Sequence, residues 1–378
     1  MRSGPIAAAA VILIAISGCA GAKHVPHSGP PAASTPPPSQ TATAVANVDV
    51  YAHDRTMSPA VAGERSLVYV PNHSDGTVTV IDPTTYKVIA TYPTGSGPQH
   101  VVPSWDLQTL YATNDEGGNS LTPIDPRTGQ RAGPNIPVPD PYNMYFTPDG
   151  KSAIIVAEQL NRLDFRDPHT FALQYSIPVS CSGIDHIDFS ASLDTMVATC
   201  EFSGQLVEID LAQRRVLGYL DVGGKPQDIK LSTAGDVYYV ADMVKNGVDI
   251  IDADQFRVIG FLPTGPEAHG LYISRDGTKL YVANRGGAAD NGSVSVIDLS
   301  TQKVVANWPV PHGTPDMGNV SADGNTLWLS GRRSKEVYAI DTRTGALLAR
   351  IPVGNEPHGL AVWPQPGQFS LGHTGIMR

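Results

Sequence analysis

The stretch Leu280-Tyr281-Val282-Ala283-Asn284, followed by Ser293-Val294-Ser295-Val296-Ile297-Asp298 and then Lys303-Val304-Val305-Ala306, decides the fold. It recurs near the start of the chain as Val68-Tyr69-Val70-Pro71-Asn72, Thr77-Val78-Thr79-Val80-Ile81-Asp82 and Lys87-Val88-Ile89-Ala90. An aromatic or apolar marker falls at Tyr69, Tyr111, Ile154, Val197, Tyr239, Tyr281 and Trp328, spaced 42, 43, 43, 42, 42 and 47 residues apart. A second marker agrees with the first. Asp82, Asp125, Asp164, Asp210, Asp252, Asp298 and Asp341 each follow Ile or Leu. Two independent markers, each found seven times, define a repeat.

Within each repeat, alternation such as Thr77-Val78-Thr79-Val80 has the period of two that marks a strand. The marker Asp ends the third strand, where its carboxylate can accept N–H groups of the following turn. Asp149-Gly150, Asp276-Gly277 and Asp323-Gly324 supply the positive φ of a tight hairpin. Four short strands per unit, repeated seven times, predict an all-β fold: a seven-bladed β-propeller of four-stranded antiparallel blades. Composition agrees. Of 378 residues only 16% are charged, while Gly (37) and Pro (32) are abundant, which favours strands and turns over long surface helices.

Ring closure follows from the register. The first repeat offers second, third and fourth strands only, and Gly359-Leu360-Ala361-Val362-Trp363 resembles a first strand with no unit after it. It is expected to complete blade 1, with residues 57–61 as the competing candidate. The propeller is assigned to 49–367, and the tail 368–378 has no reading.

The N-terminus reads as an export signal. Arg2 precedes an apolar run from Ile6 to Ile16, too short to cross a bilayer. Ile16-Ser17-Gly18-Cys19 resembles a bacterial lipobox, which predicts a signal peptide at 1–18 and a lipid-modified Cys19; the alternative is a plain secretory signal with an incidental Cys. Residues 19–48 carry Pro30-Pro31 and Pro36-Pro37-Pro38 among Ala, Ser and Thr, and read as a disordered tether. The expected location is the bacterial cell envelope, anchored to the membrane by lipid. A net charge of -10 disfavours nucleic acid as a partner.

Tyr-Val-Ala-Asn at 281–284, Tyr-Val-Pro-Asn at 69–72, Tyr-Ala-Thr-Asn at 111–114 and Glu356-Pro357-His358-Gly359-Leu360 resemble the YVTN-type β-propeller repeat. The resemblance covers roughly residues 57 to 367. Repeat 3 departs most, with Ala157 in place of the Asn and Ile154 in place of the Tyr. The resemblance implies a top face shared by the starts of the innermost strands and the ends of the second strands. It also implies a broad functional range, from surface-layer and periplasmic proteins to lactonases and cofactor-bearing oxidoreductase domains.

On that face the sequence places a polar rim: His100, Asn114, His186, Asp228, Asp242, His269, Asn284, Asp316 and His358. The rim is expected to bind a small ligand or an envelope protein, the propeller acting as a monomeric interaction module. Part of the rim is expected only to satisfy backbone groups at turns. The alternative is a lactonase-like or cofactor-assisted or metal-assisted enzyme using rim His and Asp; Gly-x-Ser-x-Gly, His-Glu-x-x-His and a phosphate-binding loop are missing. No cofactor is expected. A metal is possible, but a seven-bladed channel is expected to be too wide for His100, His186, His269 and His358 to meet on one ion. His100 and His186 also sit one position later in their repeats than the other two. Cys181 and Cys200 fall at one rim and are expected to form a disulfide, or else a soft-metal site with His186. The long loop Arg285 to Gly292 breaks the symmetry of the face and marks it as a place for a specific partner.

Overall fold

The computed structural model describes residues 49–51 and 55–378. The readings for the signal at 1–18, Cys19 and the 19–48 tether lie outside them. The described chain forms seven antiparallel sheets around a channel. Blade 3 is Asn143–Phe146, Ala153–Ala157, Arg162–Arg166 and Leu173–Pro178, from channel to rim. Blades 4 to 7 repeat this order, beginning with Ile184–Phe189, Pro226–Leu231, Ala268–Ile273 and Pro315–Val320. In blade 2 the edge strand is split into Gln130–Arg131 and Ile136–Pro137, both paired to Ser120–Asp125. Pro134 lies in the gap, where a residue without an N–H interrupts the ladder.

Blade 1 closes as the register demands. Ala361–Trp363 pairs with Leu67–Asn72, Leu67 opposite Trp363. Residues 57–61 do not take that place: Pro59–Val61 is a 3-10 turn, and Met57 bridges Gly367.

Alternation explains the packing. Tyr69, Val78 and Val80 face blade 2 and meet Val101, Leu110 and Ala112. Their neighbours Val68, Val70 and Ile81 face the other way and meet Trp328, Val337 and Ala339 of blade 7. A strand buried on both sides therefore needs apolar residues at both parities, and only the outer strands show exposed positions. The marker aspartates work as expected at most repeats. Asp82, Asp125, Asp210, Asp252, Asp298 and Asp341 accept N–H groups two or three residues downstream. Repeat 3 differs. Asp164 is buried inside its strand between Arg162 and Arg166, and Asp167 caps the turn instead. The top loop of that repeat, residues 158–161, is as long as residues 73–76 of repeat 1, so the position equivalent to Asp82 is Asp167, and Asp164 is a residue within the third strand.

The innermost strands are stitched to one another by side chains. The Tyr145 hydroxyl accepts the Ile187 N–H at 3.1 Å, Asp188 the Leu231 N–H at 2.7 Å, and Asp228 the Leu271 N–H at 2.8 Å. The Tyr272 hydroxyl accepts from Gly318 at 2.6 Å and Asn319 from Val362 at 3.1 Å. Blades 1 and 2 meet through a backbone bridge between Gly359 and His100; at the other junctions just named, these side chains satisfy inner-strand N–H donors that would otherwise be buried alone.

The tail enters the channel. Ser370–Gly372 lies beside Asn143–Phe146, turns at His373–Gly375 and returns as Ile376–Met377. Gly372 has φ +140, and a Cβ there would meet the Tyr145 ring at 2.5 Å. Phe369 stacks on Trp105 at 5.3 Å, and Arg378 sits over the Tyr51 ring at 4.7 Å, near Asp188.

Cys181 and Cys200 are joined by a disulfide with Cα atoms 6.0 Å apart, across 19 residues of sequence. Opening it by Cys181→Ser is expected to cost about 3 kcal/mol in the chain-entropy account. Calorimetric unfolding of the variant beside the unreduced parent checks this; unchanged stability, or two labelled thiols in the parent, contradicts it.

Candidate functional site

Each repeat presents two consecutive residues at the start of its innermost strand. The first set is Gln99, Tyr142, Asp185, Gln227, His269, Asp316 and His358. The second, one layer deeper, is His100, Asn143, His186, Asp228, Gly270, Met317 and Gly359. The rim residues sort by what they touch.

Four of them hold the scaffold. Asn114 donates to Ser120 and Thr122, and Asn284 to Ser293 and Ser295, each within its own blade. Asp242 accepts the N–H groups of Lys225, Val244 and Lys245. Asp228 stitches blade 5 to blade 6, as above, and also accepts from Ile229. The three strand-end groups, Asn114, Asn284 and Asp242, turn back onto their own blades. The residue after each strand end points over the channel instead, by strand alternation.

That next position supplies the groups that the rim reading missed. It reads His73, Asp115, Glu158, Glu201, Met243, Arg285 and Arg332. Together with Gln99, Tyr142, Gln227, His269 and His358 of the first inner layer, Glu158, Glu201, Arg285 and Arg332 line a cavity of about 230 Å³ at the channel mouth; Glu116 joins them. The sign of charge is divided. Blades 2, 3 and 4 bring Glu116, Glu158 and Glu201, while blades 6 and 7 bring Arg285 and Arg332.

On the cationic side Asp316 is the hub. Arg285 donates to Asp316 Oδ1 through Nε at 2.7 Å and through Nη2 at 2.6 Å. His358 Nδ1 lies 2.7 Å from Asp316 Oδ2, and His269 Nδ1 lies 3.1 Å from Oδ1. Arg285 also donates to His269 Nε2 at 2.8 Å, so His269 carries its proton on Nδ1. Burial pushes the Asp316 carboxyl up, but Arg285, His269 and Arg332 outweigh it and hold Asp316 ionised. Burial, then Arg332 and Arg285, press His358 well below its ordinary range, and burial with Arg285 does the same to His269. Neutral His358, donating from Nδ1 to Asp316, keeps a lone pair on Nε2.

On the anionic side the carboxylates crowd. Burial, then Asp185 and Asp115, push Glu158 up to about 9. Burial, then Asp140, raises Asp115 to about 8. Glu201 is raised by burial and Asp185 against the pull of Lys225, which lies 3.3 Å away.

The four rim histidines stand in a row along the channel and do not meet at one point. Ring centroids of His269 and His358 are 5.7 Å apart, His358 and His100 4.9 Å, His100 and His186 5.4 Å. The one-residue offset divides them: His269 and His358 turn to Asp316, while His100 and His186 point deeper. A fifth ring, His373 on the tail, lies 4.0 Å from His100 and 5.5 Å from His186. The tail thus brings a further imidazole to His100 and His186, while the four rim histidines do not converge on one point among the described residues. Gly359 makes room for His100, since a Cβ there would strike its Nδ1. His100, His186 and His373 are buried, with ring nitrogens of all three within 4.8 Å of one another. Neither ring nitrogen of His100 has a hydrogen-bond partner among the described residues, an arrangement costing about 1–3 kcal/mol per lost bond. The cysteines take no part, being joined to each other.

These features define a seven-bladed propeller with a polar, charge-divided mouth above a histidine layer. The chain belongs to the YNCE-like β-propeller family, whose model matches residues 39–366. Solved structures with the same fold include hydrazine synthase of Kuenenia stuttgartiensis, 19% identical over 68% of this chain and 87% of that one, with a TM-score of 0.60. A putative 6-phosphogluconolactonase of Bacteroides uniformis is 16% identical over 79% and 100%, at 0.65. A dihydro-heme d1 dehydrogenase is 15% identical over 81% and 78%, at 0.56. At these identities the likeness is one of fold. A search of curated proteins returned no match.

Glu158 carries a pH signature. Its raised value means the folded protein holds a proton that the unfolded chain releases near pH 4.5, so stability is lost as pH rises from there toward about 9. Glu158→Gln is therefore expected to raise the melting temperature at pH 8 by roughly 2–5 °C and to change little at pH 4. Melting curves across pH check this; equal shifts at both ends contradict it.

Proposed function

We propose that the protein is a ligand-binding module of the cell envelope whose channel mouth takes a small molecule bearing both an amine and a carboxylate. One observation carries the reading: Glu116, Glu158 and Glu201 face Arg285 and Arg332 across a cavity of about 230 Å³. Crowded, partly protonated carboxylates gain most from a cation. Arg332 contacts the neutral Gln99 at 3.4 Å and has no ion pair among the described residues, which suits it to an incoming carboxylate. A rigid ring of blades presents both signs without rearrangement, and such preorganisation favours affinity. The lipobox-like Ile16-Ser17-Gly18-Cys19 supports an exported, lipid-anchored placement.

A second reading rests on the bond between Asp316 and His358. A neutral imidazole oriented by a carboxylate, with Nε2 bearing a lone pair, can act as general base. It would take a proton from water as the water oxygen adds to a lactone or ester carbonyl, and return that proton to the departing alkoxide. Arg332 would sit near the developing oxyanion.

Calorimetric titration of the purified chain with amino acids, simple carboxylates and simple amines separates the two. The binding reading predicts that only the amino acids bind, and that Arg332→Gln and Glu158→Gln each weaken them roughly tenfold or more. Binding by none of the three classes contradicts it. Turnover of a lactone panel lost in His358→Asn by about 10²-fold or more supports the second reading.

A further inference from the structure

We propose that His100, His186 and His373 form a three-histidine site for a late first-row divalent metal ion, assembled when the C-terminal segment folds into the channel. This goes beyond the mouth, which lies one layer above and uses other residues.

Geometry carries the proposal. The three donor nitrogens lie within 4.8 Å of one another. Ligation at about 2.0–2.1 Å needs each to move inward by about 1 Å or less. The ring planes meet at 56°, 89° and 51°, so the imidazoles are not stacked against one another. His100 is fully buried with both ring nitrogens unbonded among the described residues. A buried imidazole with no partner is what an ion's ligand looks like before the ion arrives.

The surroundings fit the same reading. Asp185 Oδ1 lies 2.7 Å from His186 Nδ1. The contact is one of charge and is not aligned as a hydrogen bond; a carboxylate beside an imidazole raises the basicity of the ring, as around many metal-bound histidines. His373 sits at the apex of the tail hairpin, held there by Ser370–Gly372 on one side and Ile376–Met377 on the other. Room for His100 depends on Gly359, and room for the hairpin on Gly372.

Donor chemistry sets the ion. Three imidazoles with no thiolate and no direct carboxylate exclude calcium and magnesium, which take oxygen ligands, and favour zinc or copper(II). Three protein ligands leave a coordination position for water or a small molecule.

The test uses the full chain, stripped with EDTA and then exposed to zinc or copper(II). Retention of one equivalent of either metal after gel filtration is expected, with a rise in melting temperature. His373→Ala and His100→Ala should each weaken retention at least 100-fold while the stripped variants keep the circular dichroism of the parent. Asp185→Asn should weaken it roughly tenfold to 100-fold. X-ray absorption of the loaded parent, which needs no variant, should show imidazole nitrogen scattering. Failure of the parent to retain either metal, undiminished retention in all three variants, or a shell of oxygens without imidazole would each overturn the proposal. Amino-acid titrations at the mouth report separately on the binding reading.

Discussion

The close approach of Gly372 to Tyr145 is the constraint on which the channel depends. A propeller of seven blades leaves an axial space lined by the first residues of each innermost strand. Here that space is filled from below by a hairpin whose backbone lies against blade 3. No side chain fits at Gly372, because a Cβ would overlap the Tyr145 ring and the Met144 carbonyl. With the hairpin in place, His373 reaches His100 and His186, and the open volume that remains is the mouth above them. Apolar contact supports it: Leu371 and Ile376 join the core between blades 3 and 4, and Met377 joins the one between blades 1 and 2. The tail thus ties together blades that the closing strand does not touch.

The ring spends polar side chains on two different tasks. Tyr145, Asp188, Asp228, Tyr272 and Asn319 join neighbouring inner strands by side chain, where blades 1 and 2 are joined by backbone at Gly359 and His100. Such groups are buried, satisfied and bound to the scaffold. Others stand apart from the backbone: the Asp316 hub with its arginine and two histidines, the crowded carboxylates, and His100. Their hydrogen bonds run to other side chains, or in the case of His100 to none among the described residues. That contrast, more than position on the face, separates structure from chemistry in this molecule.

The fold was legible because packing between blades imposes the same burial pattern seven times, so Tyr69 and Tyr281 answer to the same neighbour. Ring closure was legible for the same reason. The tail was not, since it occurs once and its apolar residues have no counterpart in another repeat. The site was half legible. Strand starts showed His269, Asp316 and His358, which meet. Strand ends showed Asn114 and Asn284, which serve their own hairpins, while the working positions lie one residue on, at Glu158, Arg285 and Arg332. Alternation could have pointed there, because a residue beyond a back-turned side chain faces the opposite way. Asp164 failed as a turn marker because Leu163-Asp164 inside the strand imitates the Ile-Asp pair, while the equivalent turn position is Asp167, preceded by Arg166 in place of the apolar residue.

Amide hydrogen exchange over residues 369–378 tests the central claim most directly, because both the histidine layer and the closed lower channel depend on where this segment lies. A hairpin packed in the channel predicts that the amides of Leu371 to Met377 are protected to a degree comparable with the inner strand Asn143–Phe146, and that they open together with it. Exchange at the rate of an exposed chain, while the blades stay protected, would contradict the account.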